Sequence, residues 1–130
     1  MPTKLLISIV DDDESAREGT ADLIKSMGFI AKAFPHAEGF LQSSSIQRTA
    51  CLITDVRMPG ITGLELHDRL VGSGNVIPTI LVTAFPNDTD RARAMKAGVT
   101  CYLSKPFSDD DLLACIHTAL KCDEAGARKP

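Results

Sequence analysis

The sequence predicts an α/β fold: one doubly wound, five-stranded parallel sheet in the order 2-1-3-4-5 with helices on both faces. Three observations carry this. Five short apolar runs alternate with five helix-like segments, and strands alternating with helices close into right-handed βαβ crossovers around a parallel sheet. Most of the runs are rich in Ile, Val, Leu or aromatic residues without strict period-two polarity, as strands covered on both faces are. The length of 130 residues suits one domain, and five strands in a domain this small favour the flavodoxin-like strand order.

The elements follow in chain order. The first run occupies residues 5–10, and a helix comes next, with Ala16, Thr20, Leu23, Ile24 and Met27 on one stripe. Arg17, Glu18, Asp22 and Lys25 face away from that stripe, and Gly28 supplies a residue suited to the turn that ends a helix. The second run, 29–34, is weakened by Ala31 and Lys32, whereas the third, 51–54, and the fourth, 79–82, are plain. Segment 88–97 is helical with only Ala92, Met95 and Ala97 as its apolar side, so its anchorage should be weak; Gly98 ends it. After the fifth run, 100–103, the last helix opens with Ser108-Asp109-Asp110-Asp111, a capping-box pattern that sets carboxylates at the positive end of the helix dipole. Leu112, Leu113, Ile116 and Leu120 form its buried stripe. The domain is expected to span 1–121, with 122–130 a polar tail or the start of a linker.

Composition narrows the function classes. The chain is 44% hydrophobic and 24% charged with a net charge of −3, so no basic field favours direct DNA binding or an anionic membrane surface. No apolar run approaches the roughly 18 residues that span a bilayer, and the N-terminal apolar stretch is too short for a signal peptide. A cytoplasmic location is the expectation. Cys51, Cys101, Cys115 and Cys122 form no C-x-x-C pair, and His36, His67 and His117 have no ligand spacing with them. Buried or half-buried thiols are expected instead of zinc or disulfides. There is no G-x-x-x-x-G-K-[ST], and Gly72-Ser73-Gly74 precedes the fourth strand instead of opening a helix, which argues against a nucleotide site.

A doubly wound sheet places its functional crevice at the carboxyl ends of its strands. Polar residues stand there on four of the five runs: Asp11 and Asp12 after the first, Asp55 after the third, Thr83 closing the fourth and Lys105 after the fifth. Taken singly, each has an ordinary structural use, as a helix cap, a turn opener, a strand residue or a solvated charge. Strands 1 and 3 are neighbours in the expected order, so Asp11, Asp12 and Asp55 should cluster. Three carboxylates at one edge repel, and even with Lys105 beside them two negative charges remain. One divalent cation balances those, and an all-carboxylate, open site suits Mg²⁺ or Mn²⁺ better than zinc.

The stretches Ile9-Val10-Asp11-Asp12-Asp13-Glu14, Thr54-Asp55-Val56-Arg57-Met58-Pro59-Gly60, Leu81-Val82-Thr83-Ala84 and Tyr102-Leu103-Ser104-Lys105-Pro106-Phe107, in this order, closely resemble the receiver domains of bacterial two-component response regulators. The Asp-Val-Arg-Met-Pro-Gly wording is most similar to FixJ-like transcriptional regulators. The resemblance implies a phosphoacceptor signalling domain, not an enzyme in the usual sense, that takes a phosphoryl group from a histidine kinase or phosphotransfer protein onto Asp55. It implies that Asp12 binds Mg²⁺ directly, that Asp11 does so mainly through water, and that the Arg57 backbone carbonyl completes the protein ligands. It gives Thr83 and Lys105 the phosphoryl oxygens and makes Thr83 and Tyr102 the switch pair. It also implies a cis bond before Pro106. The positions two places after Asp55 and Thr83, which tune phosphoryl lifetime in the family, hold Arg57 and Phe85 here, neither an obvious water-orienting group, and Arg57 reads equally as a plain rim charge. Finally, it implies dimerisation or partner contact through the fourth helix, fifth strand and fifth helix, with transcription regulated through a C-terminal output domain or a partner.

Two rivals are weighed against this. Asp11-Asp12-Asp13 also satisfies the Asp-x-Asp of haloacid-dehalogenase-type phosphatases, but Lys105 is followed by Pro106-Phe107 with no further acid pair at a strand end. A binding module that uses the fold without phosphorylation would not need the acid pair, Asp55, Thr83 and Lys105 together.

Overall fold

The computed structural model describes residues 4–128, with side chains as far as residue 121. The strands β1 (Leu6–Val10), β2 (Ile30–Phe34), β3 (Thr49–Asp55), β4 (Thr79–Thr83) and β5 (Cys101–Ser104) form one sheet in the order β2-β1-β3-β4-β5. All pairings are parallel. Between them lie α1 (Glu14–Ser26), α2 (Ala37–Leu41), a 3₁₀ turn at Ser44–Gln47, α3 (Gly63–Gly72), α4 (Asp88–Lys96) and, after β5, α5 (Asp109–Arg128). α5 runs on as far as Arg128, into the segment 122–130 expected to be a polar tail or the start of a linker.

Burial follows strand position. β1 and β4 are wholly buried and β3 nearly so, because each has a strand on either side and helices above and below. β2 is an edge strand and mostly exposed, which explains why Ala31 and Lys32 are tolerated there. The faces alternate along β1. Ile7 and Ile9 pack with Ala21 and Ile24 of α1 and Leu112, Ile116 and Ala119 of α5, while Val10 joins Phe40 of α2 and Leu66 and Leu70 of α3 on the other face. Ser8, buried on β1, bonds to the Thr49 hydroxyl at 2.7 Å, so the polar break in the first run has a partner.

Local chemistry sets the helix ends. Gly28 and Gly98, both at φ +94°, terminate α1 and α4 in a conformation that side chains resist. Thr62 and Glu65 form a reciprocal capping box at the start of α3, and the Ser108 hydroxyl accepts from Asp111 N–H at the start of α5. α4 is weakly anchored, as expected, but through a different residue. Ala94 is its buried residue, packed with Val99 and Tyr102, whereas Ala92, Met95 and Ala97 are exposed. The helix lies on the sheet by a side only one small residue wide. On α1, Ile24 of the expected stripe is fully buried and Ala21 joins it, while Leu23 and Met27 pack at its margin and Ala16 and Thr20 are half-buried.

Candidate functional site

The register Val10↔Thr54 sets the next residues, Asp11 and Asp55, side by side where β1 and β3 leave the sheet. Asp12 completes a cluster whose ligand oxygens all lie within 4.8 Å of one another. Asp11 and Asp55 are buried and Asp12 is exposed, so the cluster opens to solvent on one side. The backbone of Asp11 is fixed at both ends: its N–H donates to the Phe34 carbonyl at 3.1 Å, and its carbonyl accepts from Arg17 Nη1 at 3.0 Å. Arg17, which the helix pattern assigns to solvent, therefore turns inward to brace the acid turn.

Lys105 arrives from β5. Its backbone N–H donates to the Thr83 carbonyl at 2.7 Å, and the Lys105–Pro106 bond is cis. Its ammonium donates to Asp11 Oδ2 at 2.9 Å and to Asp55 Oδ2 at 3.0 Å. Asp55 Oδ1 accepts from the Arg57 N–H at 3.2 Å. Burial pushes the Asp55 carboxyl above its ordinary range and Asp11 adds to this, against the opposing pull of Lys105. For Lys105 burial works the other way, but the bonds and charges of Asp55 and Asp11 outweigh it and hold the ammonium above its usual range. One cation shared by two buried carboxylates, with a third acid beside them, leaves the corner short of positive charge. Hard oxygen donors around an open side fit Mg²⁺, which keeps several waters and takes one or two carboxylates.

Thr83 ends β4 one residue beyond Val82, the register partner of Asp55, and its Oγ1 accepts from the Phe85 N–H at 3.0 Å. Tyr102 is buried among Val56, Leu64, Leu81, Ala94 and Val99. Its hydroxyl accepts from the Asn87 N–H at 3.3 Å, and the Arg91 guanidinium lies 4.7 Å from the ring centroid. Arg57 and Phe85 both stand exposed at the rim.

Some residues that shape the site carry no obvious signal in the sequence. A Cβ on Gly63 would sit 2.4 Å from the Asp55 carbonyl oxygen, so only glycine lets α3 begin this close to the phosphoacceptor candidate. The preceding Thr62-x-x-Glu65 capping box was available as a helix-start signal. Asn87 and Asp90, which cap α4 and meet Tyr102 and Arg57, look like loop residues until the fold brings β3, α4 and β5 together.

The model of the response regulator receiver domain matches residues 7–117. The chain belongs to the receiver domain family. It is 39% identical over 116 residues to the response regulator protein TmoT of Ectopseudomonas mendocina, covering 89% of this chain and 53% of that protein. It is 35% identical over 128 residues to the transcriptional regulatory protein FixJ of Bradyrhizobium diazoefficiens, covering 98% of this chain and 62% of that one. The chain thus spans little more than half the length of these relatives. Among solved structures, FixJ-N superposes with a TM-score of 0.82 at 32% identity, covering 92% of this chain and 96% of that chain. The response regulator StyR gives a TM-score of 0.86 at 38% identity, covering 97% and 65%. Receivers of this family bind Mg²⁺ at an acidic cluster, whose counterpart here is Asp11, Asp12 and Asp55. No helix among the described residues is long and apolar enough to cross a membrane.

Proposed function

We propose that this receiver accepts a phosphoryl group on Asp55 from the phosphohistidine of a partner kinase or phosphotransfer protein, and changes its contact surface in response. The observation that carries this is the Asp55 carboxylate itself: buried, held at one oxygen by Lys105 and at the other by the Arg57 N–H, beside the Asp11–Asp12 pair. An Asp55 oxygen forms the bond to phosphorus as the phosphorus–nitrogen bond to histidine breaks. The transition state is loose, so the site chiefly positions and neutralises. Asp11 and Asp12, with Asp55 and the Arg57 carbonyl, would hold Mg²⁺ or, in its place, Mn²⁺; when bound, the cation would supply positive charge against the negative charge that gathers on the carboxylates and the phosphoryl group. Lys105, once its ammonium leaves Asp55, meets an equatorial phosphoryl oxygen, and the Thr83 hydroxyl meets another. After transfer Asp11, Asp12 and a phosphoryl dianion face the cation and Lys105, a residual of one negative charge; without Lys105 it would be two.

The switching face is that of α4, β5 and α5, used for dimerisation or for contact with a partner. The receiver unit spans 1–121 and 122–130 leads out of it. Following relatives named as transcriptional regulators, the response is control of transcription in the cytoplasm through an output domain or partner, without DNA contact by the receiver itself.

With acetyl phosphate or phosphoramidate and Mg²⁺ or Mn²⁺, intact mass should rise by one phosphoryl group, the rise should vanish without the cation, and Asp55→Asn should abolish it. An undiminished rise in that variant would overturn the assignment. Lys105→Ala should slow the uptake well beyond what its change in thermal stability explains.

A further inference from the structure

Arg57 projects from the rim of the site toward α4, where its Nη2 lies 3.6 Å from Asp90 Oδ2. That same oxygen accepts from Asn87 Nδ2 at 2.8 Å, and Asn87 Oδ1 accepts from the Asp90 N–H at 2.7 Å. The Asn87 N–H in turn donates to the Tyr102 hydroxyl. A continuous polar path therefore runs from the residue two places after Asp55, through the N-terminus of α4, to the aromatic on β5. It is separate from the Thr83 hydroxyl, which is engaged with the Phe85 N–H.

We propose that Asp90 is a positioning residue that ties the Arg57 side chain, and through Asn87 the Tyr102 hydroxyl, into the resting arrangement of α4. A phosphoryl group on Asp55 competes for the Arg57 guanidinium and releases this tie. The inference rests on Asp55 being the phosphoacceptor. The physical reasons are the weakness of the resting pair and the strength of its competitor. The Arg57 side chain is 58% exposed against 18% for Asp90, so the pair is solvent-screened and easily exchanged. A phosphoryl dianion offers three oxygens to a guanidinium that binds such groups in bidentate fashion. The Arg57 backbone already touches Asp55, which places its side chain within one residue's reach of the new charge.

The chain has a single tyrosine and no tryptophan, so intrinsic emission reports on Tyr102 directly. Titration of the whole chain with beryllofluoride and Mg²⁺, a mimic of the phosphoryl group, should show Asp90→Asn binding roughly two- to fivefold tighter than wild type, the factor an exposed ion pair supplies. In an Arg57→Ala background the same substitution should change nothing. Asp88→Asn, which removes a carboxylate from the same first turn of α4, should match wild type. An unchanged or weaker affinity in Asp90→Asn, an equal gain in the Arg57→Ala background, or an equal gain from Asp88→Asn each overturns the proposal. Failure of the wild type to bind the mimic is a different result: it removes the phosphoacceptor reading, and this inference with it.

Discussion

Where β3 ends, the backbone carbonyl of Asp55 lies so close to α3 that Gly63 has no room for a side chain. Gly63→Ala must displace either the helix start or the Asp55 backbone, and should cost about 1–3 kcal/mol, the usual range for overpacking. Thermal melts should register the loss, and phosphoryl uptake from acetyl phosphate should slow because the Asp55 carboxylate is displaced from Lys105. Uptake at the wild-type rate with an unchanged melt would mean that the close approach constrains nothing. The acids and Lys105 could be placed from the sequence because each follows directly on a strand whose apolar run is plain. Gly63 could not, since its reason is a contact between residues eight positions apart that a turn folds together.

α4 has a slight hold on the sheet: one buried alanine, an Asn87 cap and polar links to Arg57 and to Tyr102 of β5. Such an element moves for little free energy. Tyr102 is already buried beneath it, so under the proposed function phosphorylation would act on a ring that already has an inward place and a hydroxyl partner. Under the proposed function, a phosphoryl group that drew the Thr83 hydroxyl toward it would alter the turn that hydroxyl holds through the Phe85 N–H, and with it the start of α4. Thr83→Ala should therefore still take up phosphate at Asp55, yet weaken any phosphorylation-dependent association measured by sedimentation. A coupling of this kind is commonly about 1–3 kcal/mol. If Thr83→Ala and Tyr102→Ala both associate on phosphorylation as wild type does, this route from site to surface is absent. The weak anchorage was legible in the scarcity of apolar residues over 88–97. Which side faces the sheet was not, because Ala92, Ala94 and Ala97 are equivalent in composition and only the packing of α4 against Val99 and Tyr102 chooses among them.

The whole molecule carries a titratable group in its packing. His67 of α3 is buried, and its Nδ1 has no hydrogen-bond partner among the described residues. Burial holds its imidazole below the ordinary value of 6.5, with Asp68 opposing only in part. The unfolded chain therefore binds a proton more readily than the folded one. The stability this neutral histidine brings is full above about pH 6.5 and is lost as pH falls below that value. His67→Leu should flatten the dependence of Tm on pH between roughly 7 and 5 relative to wild type; parallel curves would show that His67 does not report the difference. The sequence by itself determined the class of the fold, the order of its elements and the end of the sheet where Asp11, Asp12, Asp55, Thr83 and Lys105 gather. Apolar runs and caps are local, and a parallel sheet permits few arrangements of them. Tertiary structure alone decided the sharing of Lys105 between Asp11 and Asp55, the inward turn of Arg17, and the bridge from Arg57 through Asp90 and Asn87 to Tyr102. Each of these joins side chains from different elements, and their partners are set by strand register and helix rotation, which no local pattern encodes.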